Sequence, residues 1–253
     1  VHDIALEKSG IIKENTTVVI GEKDEELVSL LKSIALEKNC RIYVVDEDFK
    51  LLKNDQAVGG RLLTMQTPYG YYEDVFLPLL GFHQGENALL ALVACEIFVD
   101  DCFGDEIIRE GFDKATSPGR MEIISRQPLI MLDGAHNVPG AQALASALSE
   151  EFVAPRRIFV IGLTKEKDAN AMIDSLGIED EDIIIACAAD SEKAMEPGEI
   201  VEIGKSMGLE NISMKNSPIE AIEFAQSIAF DDDHIIVTGS LYVVGEIRDF
   251  ILS

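Results

Sequence analysis

SPGRMEIISRQPLIMLDGAHN, residues 117–137, holds a linker, a strand and a loaded turn in succession. Ser117-Pro118-Gly119 is turn chemistry, since Pro fixes φ and Gly permits positive φ. Leu129-Ile130-Met131-Leu132 is a continuous apolar run of the kind that suits a strand buried on both faces of a parallel sheet. Asp133-Gly134-Ala135-His136-Asn137 follows at the carboxyl end of that strand, ahead of a helical segment rich in Ala and Leu. In open α/β sheets ligands bind at that edge. A plainer reading stands beside this one, in which Asp133 or Asn137 caps the next helix and His136 is a surface imidazole. Arg120 just upstream and a second polar turn late in the chain favour a site.

The rest of the chain agrees with an α/β fold. Thr17–Ile20 reads as a β-branched strand closed by Gly21, residues 24–38 as an amphipathic helix, and residues 41–45 as the next strand. Residues 61–67 and 71–77 flank Pro68-Tyr69-Gly70 as a hairpin, and a strong helix lies within 80–98 with His83-Gln84-Gly85-Glu86-Asn87 at its start. A shorter helix covers about 105–115, and the domain boundary is placed after residue 116. The second domain repeats the alternation. Strands are expected at 129–132, 158–161, 183–187 and 235–238, with helices near 139–150, 169–176, 197–207, 218–229 and 242–251, making a doubly wound sheet.

Composition limits the function classes. The 253 residues carry 46 acidic and 21 basic side chains, a net charge of −25, which opposes non-specific binding to nucleic acid or anionic lipid. ATP needs only a few well-placed cations and backbone amides, so it stays compatible. No apolar run approaches the roughly 20 residues of a membrane span. The cysteines Cys40, Cys95, Cys102 and Cys187 have no metal spacing, and Cys95 and Cys187 read as buried thiols in a reducing cytoplasm. Gly204-Lys205-Ser206 mimics the end of a phosphate loop, but Glu199 stands where its first Gly is required and the segment has helical spacing. It is rejected.

Three stretches carry a family resemblance: PGRMEII at 118–124, LDGAHN at 132–137 and VTGSLYVVGEIR at 237–248. They resemble the C-terminal half of folylpolyglutamate synthase/dihydrofolate synthase, a branch of the Mur ligase superfamily. IALEKSGIIK at 4–13 is similar to that family's central-domain segment. The resemblance implies part of a central ATPase domain over 1–116 and a Rossmann-like glutamate-ligase domain over 117–253. Such a ligase uses ATP and Mg2+ to join L-glutamate to dihydropteroate or a folate through an acyl phosphate, as a cytoplasmic monomer with small-molecule partners and neither nucleic acid nor membrane. Two alternatives stand beside it, another Mur-type amino-acid ligase and a non-catalytic nucleotide-binding fragment. The family's phosphate loop does not occur in these residues, and the chain starts abruptly, so a natural N-terminal part is expected to precede it.

The resemblance also implies roles. Lys8, otherwise a surface charge, would be carbamylated and help organise Mg2+, whose main ligands are expected upstream. Asn87, otherwise a helix cap or a packing residue, matches the Asn of the family's HQxxNA motif that contacts adenine. Arg120, otherwise a hinge ion pair, would grip nucleotide phosphate, and Asp133 would hold the ribose or orient its neighbours. His136 would reach the phosphoryl or acyl group as the domains close. Lys167 and Asp168 match a Lys-Asp beside the incoming glutamate, with a plain charged loop as the alternative. Ser240 either caps the last helix or lies beside the site.

Overall fold

The computed structural model describes residues 2–253. It divides into two compact units, the first made of residues up to 78 with 82–115, the second of 79–81 with 116–253. The changeover falls between Ala115 and Thr116, and the short stretch 79–81 sides with the second unit.

The first unit begins with α1 (His2–Ser9), then β1 (Thr17–Ile20), α2 (Glu25–Glu37) and β2 (Arg41–Val44). β1 and β2 pair in parallel, so α2 is a crossover helix. Asp24 starts it, accepting the N–H groups of Glu26 and Leu27 at 3.0 and 3.1 Å. Its Val28 packs with Ile20 and Val44. Next come β3 (Lys50–Ala57), β4 (Gly60–Gln66) and β5 (Tyr71–Leu77), an antiparallel sheet in that order, followed by α3 (Phe82–Val99) and α4 (Asp105–Asp113). The expected hairpin is therefore the second half of a three-stranded sheet. β3 escapes sequence reading because KLLKNDQA is mostly polar and none of its residues is buried. Cys95 corrects an expectation too: it is exposed. Leu92, Val93 and Glu96 take the inward face of α3, and Cys95 points away from them.

The second unit holds β6 (Glu122–Arg126), β7 (Leu129–Leu132), α5 (Val138–Glu150), β8 (Arg157–Ile161), α6 (Ala169–Asp174), β9 (Ile183–Ala186), α7 (Pro197–Ser206), β10 (Ile212–Met214), α8 (Pro218–Ile228), β11 (His234–Thr238) and α9 (Leu241–Leu252). Its sheet runs β10-β9-β8-β11-β7-β6, parallel throughout except for β6, which pairs antiparallel with β7 at the edge. Thus the stretch 117–137 contains a second strand where a linker is expected. Lys205 and Ser206 end α7, confirming that the apparent phosphate loop is helix.

Every residue of β8 is buried, as a central strand covered on both faces requires. On one face Met131, Phe159, Ile161, Ile184 and Ile236 meet Leu144 and Leu148 of α5, Met172 of α6 and Ile200 of α7. On the other, Ile130, Leu132, Ile158, Val160 and Val237 meet Ile222 of α8 and Val243 and Ile247 of α9. The chain moves outward along one face through α5, α6 and α7, then returns beneath the other through α8. This inserts β11 between β7 and β8 and puts three strand ends side by side. Cys187, just past β9, lies at the same edge; burial pushes its thiol up to about 12, which leaves it inert as a nucleophile. No helix among the described residues is long and apolar enough to cross a membrane.

The opposite edge of the sheet is tied by ions. Arg157 and Asp182 are both buried, and Arg157 Nη2 lies 2.5 Å from Asp182 Oδ2 while Asp182 Oδ1 also accepts the Arg157 backbone N–H at 2.9 Å. Removing one member leaves a buried charge behind. Asp182→Ala is therefore expected to cost the second unit about 3–5 kcal/mol in denaturant unfolding; a loss of about 0.5 kcal/mol, as for an exposed pair, would contradict this account of the edge.

Candidate functional site

The parallel alignment of β7, β11 and β8 brings three turns together at their carboxyl ends: residues 133–137, 239–240 and 162–168. Backbone hydrogen bonds lock them. Gly134 N–H donates to Gly119 O at 2.7 Å, Gly239 N–H to Ala135 O at 3.0 Å, and Gly162 N–H to Thr238 O at 3.2 Å. Gly239 has φ +99°, and a Cβ there would sit 2.5 Å from Gly162 O, so both its conformation and its crowding demand glycine.

Asp133 is buried and organises the first turn. Its Oδ2 accepts the Met121 N–H and its Oδ1 the Ala135 N–H, each at 2.9 Å. These bonds hold the segment carrying Arg120 against the end of β7. Of the two plain alternatives for helix capping, Asn137 does the work: its Oδ1 accepts the Gly140 N–H at 2.9 Å at the start of α5.

Arg120 and His136 meet on one atom. Arg120 Nη1 donates to Gly134 O at 3.2 Å, and His136 Nδ1 lies 2.9 Å from the same oxygen. Both side chains are half-buried. A guanidinium and an imidazole thus sit beside a turn at the ligand-binding edge of the sheet.

The remaining expected residues of this unit fall around the same edge with different local duties. Ser240 is buried and caps α9, its Oγ accepting the Tyr242 N–H at 3.2 Å. Asp168 is exposed and caps α6, accepting the Ala171 N–H at 3.0 Å. Lys167 is exposed beside it, with its backbone N–H on Thr164 O at 3.1 Å.

Asn87 and Lys8 belong to the first unit. Asn87 lies inside α3, past its first turn, so the HQGEN segment is helix and the capping alternative for Asn87 fails. Its exposed amide donates to Gln84 Oε1 at 3.3 Å. Lys8 is exposed in the last turn of α1. Among the described residues no group of three or more His, Cys, Asp or Glu side chains is arranged to hold a metal ion.

One supporting residue goes unnoticed in sequence reading. Glu122 Oε2 accepts the Gly119 N–H at 2.8 Å and Arg248 Nε of α9 at 2.9 Å. Burial acts to raise its carboxyl, but the Arg248 guanidinium and the Gly119 N–H outweigh it and hold the group below its ordinary value. The available signal was a carboxylate three residues beyond the glycine of a turn. Asp133 and Glu122 thus clamp the Arg120 segment from two sides. Asp133→Asn puts an amide donor against one of two backbone donors, so unfolding stability of the second unit is expected to drop by about 1–3 kcal/mol with faster hydrogen exchange at the Met121 amide. Unchanged exchange there would show that the carboxylate does not hold the turn.

The family described as Mur ligase, glutamate ligase domain matches residues 119–241. The dihydrofolate synthase/folylpolyglutamate synthase of Bacillus subtilis is 30% identical over 98% of this chain and 57% of its own length. The Mycobacterium tuberculosis folylpolyglutamate synthase solved in complex with ADP superimposes with a TM-score of 0.93 at 30% identity, over 98% of this chain and 58% of that one. A bifunctional folylpolyglutamate synthase/dihydrofolate synthase solved with Mn, AMPPNP and L-glutamate bound gives 0.82 at 25% identity, over 99% and 57%. The chain spans somewhat over half the length of these relatives. With its clamped Arg120 turn and DGAHN loop inside the matched domain, the chain belongs to the Mur ligase family, in its folylpolyglutamate synthase/dihydrofolate synthase branch.

Proposed function

We propose that the protein is an ATP-dependent ligase that joins L-glutamate to a folate or to dihydropteroate in the cytoplasm. Residues 1–116 are read as part of the ATP-binding central domain and residues 117–253 as the glutamate-ligase domain. The observation that carries this reading is the pairing of Arg120 and His136 on one carbonyl, within a turn fixed by Asp133, at the carboxyl edge of the sheet. The relatives solved with ADP, and with AMPPNP and L-glutamate, support the substrate classes.

In this reaction a carboxylate oxygen of the pteroate or folate attacks the γ-phosphorus of ATP and ADP leaves. The amine of glutamate then attacks the acyl phosphate, the C–N bond forms, and phosphate departs. Arg120 supplies a planar cation for phosphate oxygens. Asp133 acts by holding the Arg120 turn, not by reacting. His136 faces the acyl-transfer step, Lys167 and Ser240 lie on the glutamate side, and Asp168 shapes that side by capping α6. In the first unit Asn87 presents an exposed amide for adenine, and Lys8, carbamylated, would lend a carboxylate to a Mg2+ ion held mainly by other residues of the protein. Catalysis of this kind is positioning plus charge neutralisation.

The native gene product is expected to release ADP only when ATP, a folate or dihydropteroate, and L-glutamate are all present. Arg120→Ala should raise KM for ATP and lower kcat by about 10²-fold, as loss of one charge-stabilising donor does. ADP release indifferent to glutamate, or unaffected by Arg120→Ala, would contradict the reading.

A further inference from the structure

Gly134 contributes no side chain, yet two functional side chains end on it. A carbonyl oxygen has two lone pairs and only accepts hydrogen bonds. Arg120 Nη1 uses one lone pair at 3.2 Å, and His136 Nδ1 lies 2.9 Å from the same atom. The partner of a carbonyl has to be a donor, so Nδ1 carries hydrogen. In a neutral imidazole the other nitrogen then has an open lone pair, because the tautomer is set by the bond its partner nitrogen makes. Nε2 makes no hydrogen bond to any described residue.

The absence of a Cβ matters as much as the carbonyl. A Cβ on Gly134 would lie 2.9 Å from Arg120 Nη1 and would collide with Leu241 Cδ2. Gly134 is not in the left-handed region, so backbone conformation alone would admit alanine. A side chain there would instead have to displace the end of the Arg120 guanidinium and Leu241, which lies half-exposed at the first position of α9. The site is therefore built around a bare peptide unit that both side chains can reach.

We propose that Gly134 is a positioning residue whose carbonyl fixes Arg120 and holds His136 as the Nδ1–H tautomer, so that Nε2 takes a proton from the ammonium of the entering glutamate. This rests on the ligase reading above. The balance is straightforward: as the C–N bond forms and the acyl C–O bond to phosphate breaks, the ammonium loses two protons. One goes to Nε2 and the other leaves with inorganic phosphate. The acyl electrophile comes from ATP and the carboxylic substrate, and no further reagent is required.

Two readouts on the native gene product test this. The first is nitrogen-15 NMR of the histidine rings, with His136→Gln as the assignment control. A pyrrole-type Nδ1 and a pyridine-type Nε2 for neutral His136 are expected; a pyrrole-type Nε2 overturns the proposal. The second is partition of the acyl group between glutamate and hydroxylamine, an amine already neutral at neutral pH that needs no proton acceptor. His136→Gln, which keeps a polar side chain but has no basic nitrogen to take a proton, is compared with the native protein. The glutamate-to-hydroxamate ratio is expected to fall at least about tenfold, a size typical of lost acid–base help; an unchanged ratio overturns the proposal. If His136→Gln does not fold, the tautomer decides. No acyl product with either amine in the native protein would defeat the ligase reading, and the tautomer would still decide whether Gly134 positions His136.

Discussion

The Asp133 carboxylate, buried and accepting N–H groups from Met121 and Ala135, is the interaction on which the second unit's site depends. It joins two pieces of chain that run in different directions, the end of β7 and the turn that carries Arg120. A carboxylate suits this task because it only accepts, and both partners are fixed backbone donors. Once that junction is made, Gly119 O receives the Gly134 N–H and Gly134 O turns toward Arg120 and His136. Glu122 and Arg248 close the arrangement from the side of α9.

Beneath the site lies a sheet whose central strands are buried on both faces. The insertion of β11 between β7 and β8 creates the edge at which the polar turns gather. Apolar packing thus fixes where the turns are, and a few charge-assisted hydrogen bonds fix what they present. Rigid elements on either side of a site reduce the reorganisation left for the reaction itself. Gly239 shows how tight the junction is, since only its missing side chain lets β11 pass beside Gly162.

Much of this was legible in the sequence. The apolar run at Leu129–Leu132 followed by Asp-Gly-Ala-His-Asn announces a buried strand with a polar turn at its carboxyl end, and the alternating pattern beyond it announces the doubly wound sheet. β6 was not legible: its residues are mostly half-buried, so EIISR shows neither alternation nor a clean apolar run. β3 was lost to its polar composition, and Cys95 was misread because apolar neighbours in sequence do not share its helix face. The role of Gly134 was invisible for a different reason. A backbone carbonyl has no letter of its own, and its two donors lie fourteen residues upstream and two downstream.

The central claim, that the protein activates a carboxylate as an acyl phosphate for capture by glutamate, is tested most directly by following an oxygen atom. The folate or dihydropteroate substrate is labelled with oxygen-18 in its reacting carboxylate, and the inorganic phosphate released on glutamate addition is examined by mass spectrometry. Acyl-phosphate chemistry predicts transfer of a labelled oxygen into that phosphate. Product formation with the departing labelled oxygen found in water and none in phosphate would contradict the account.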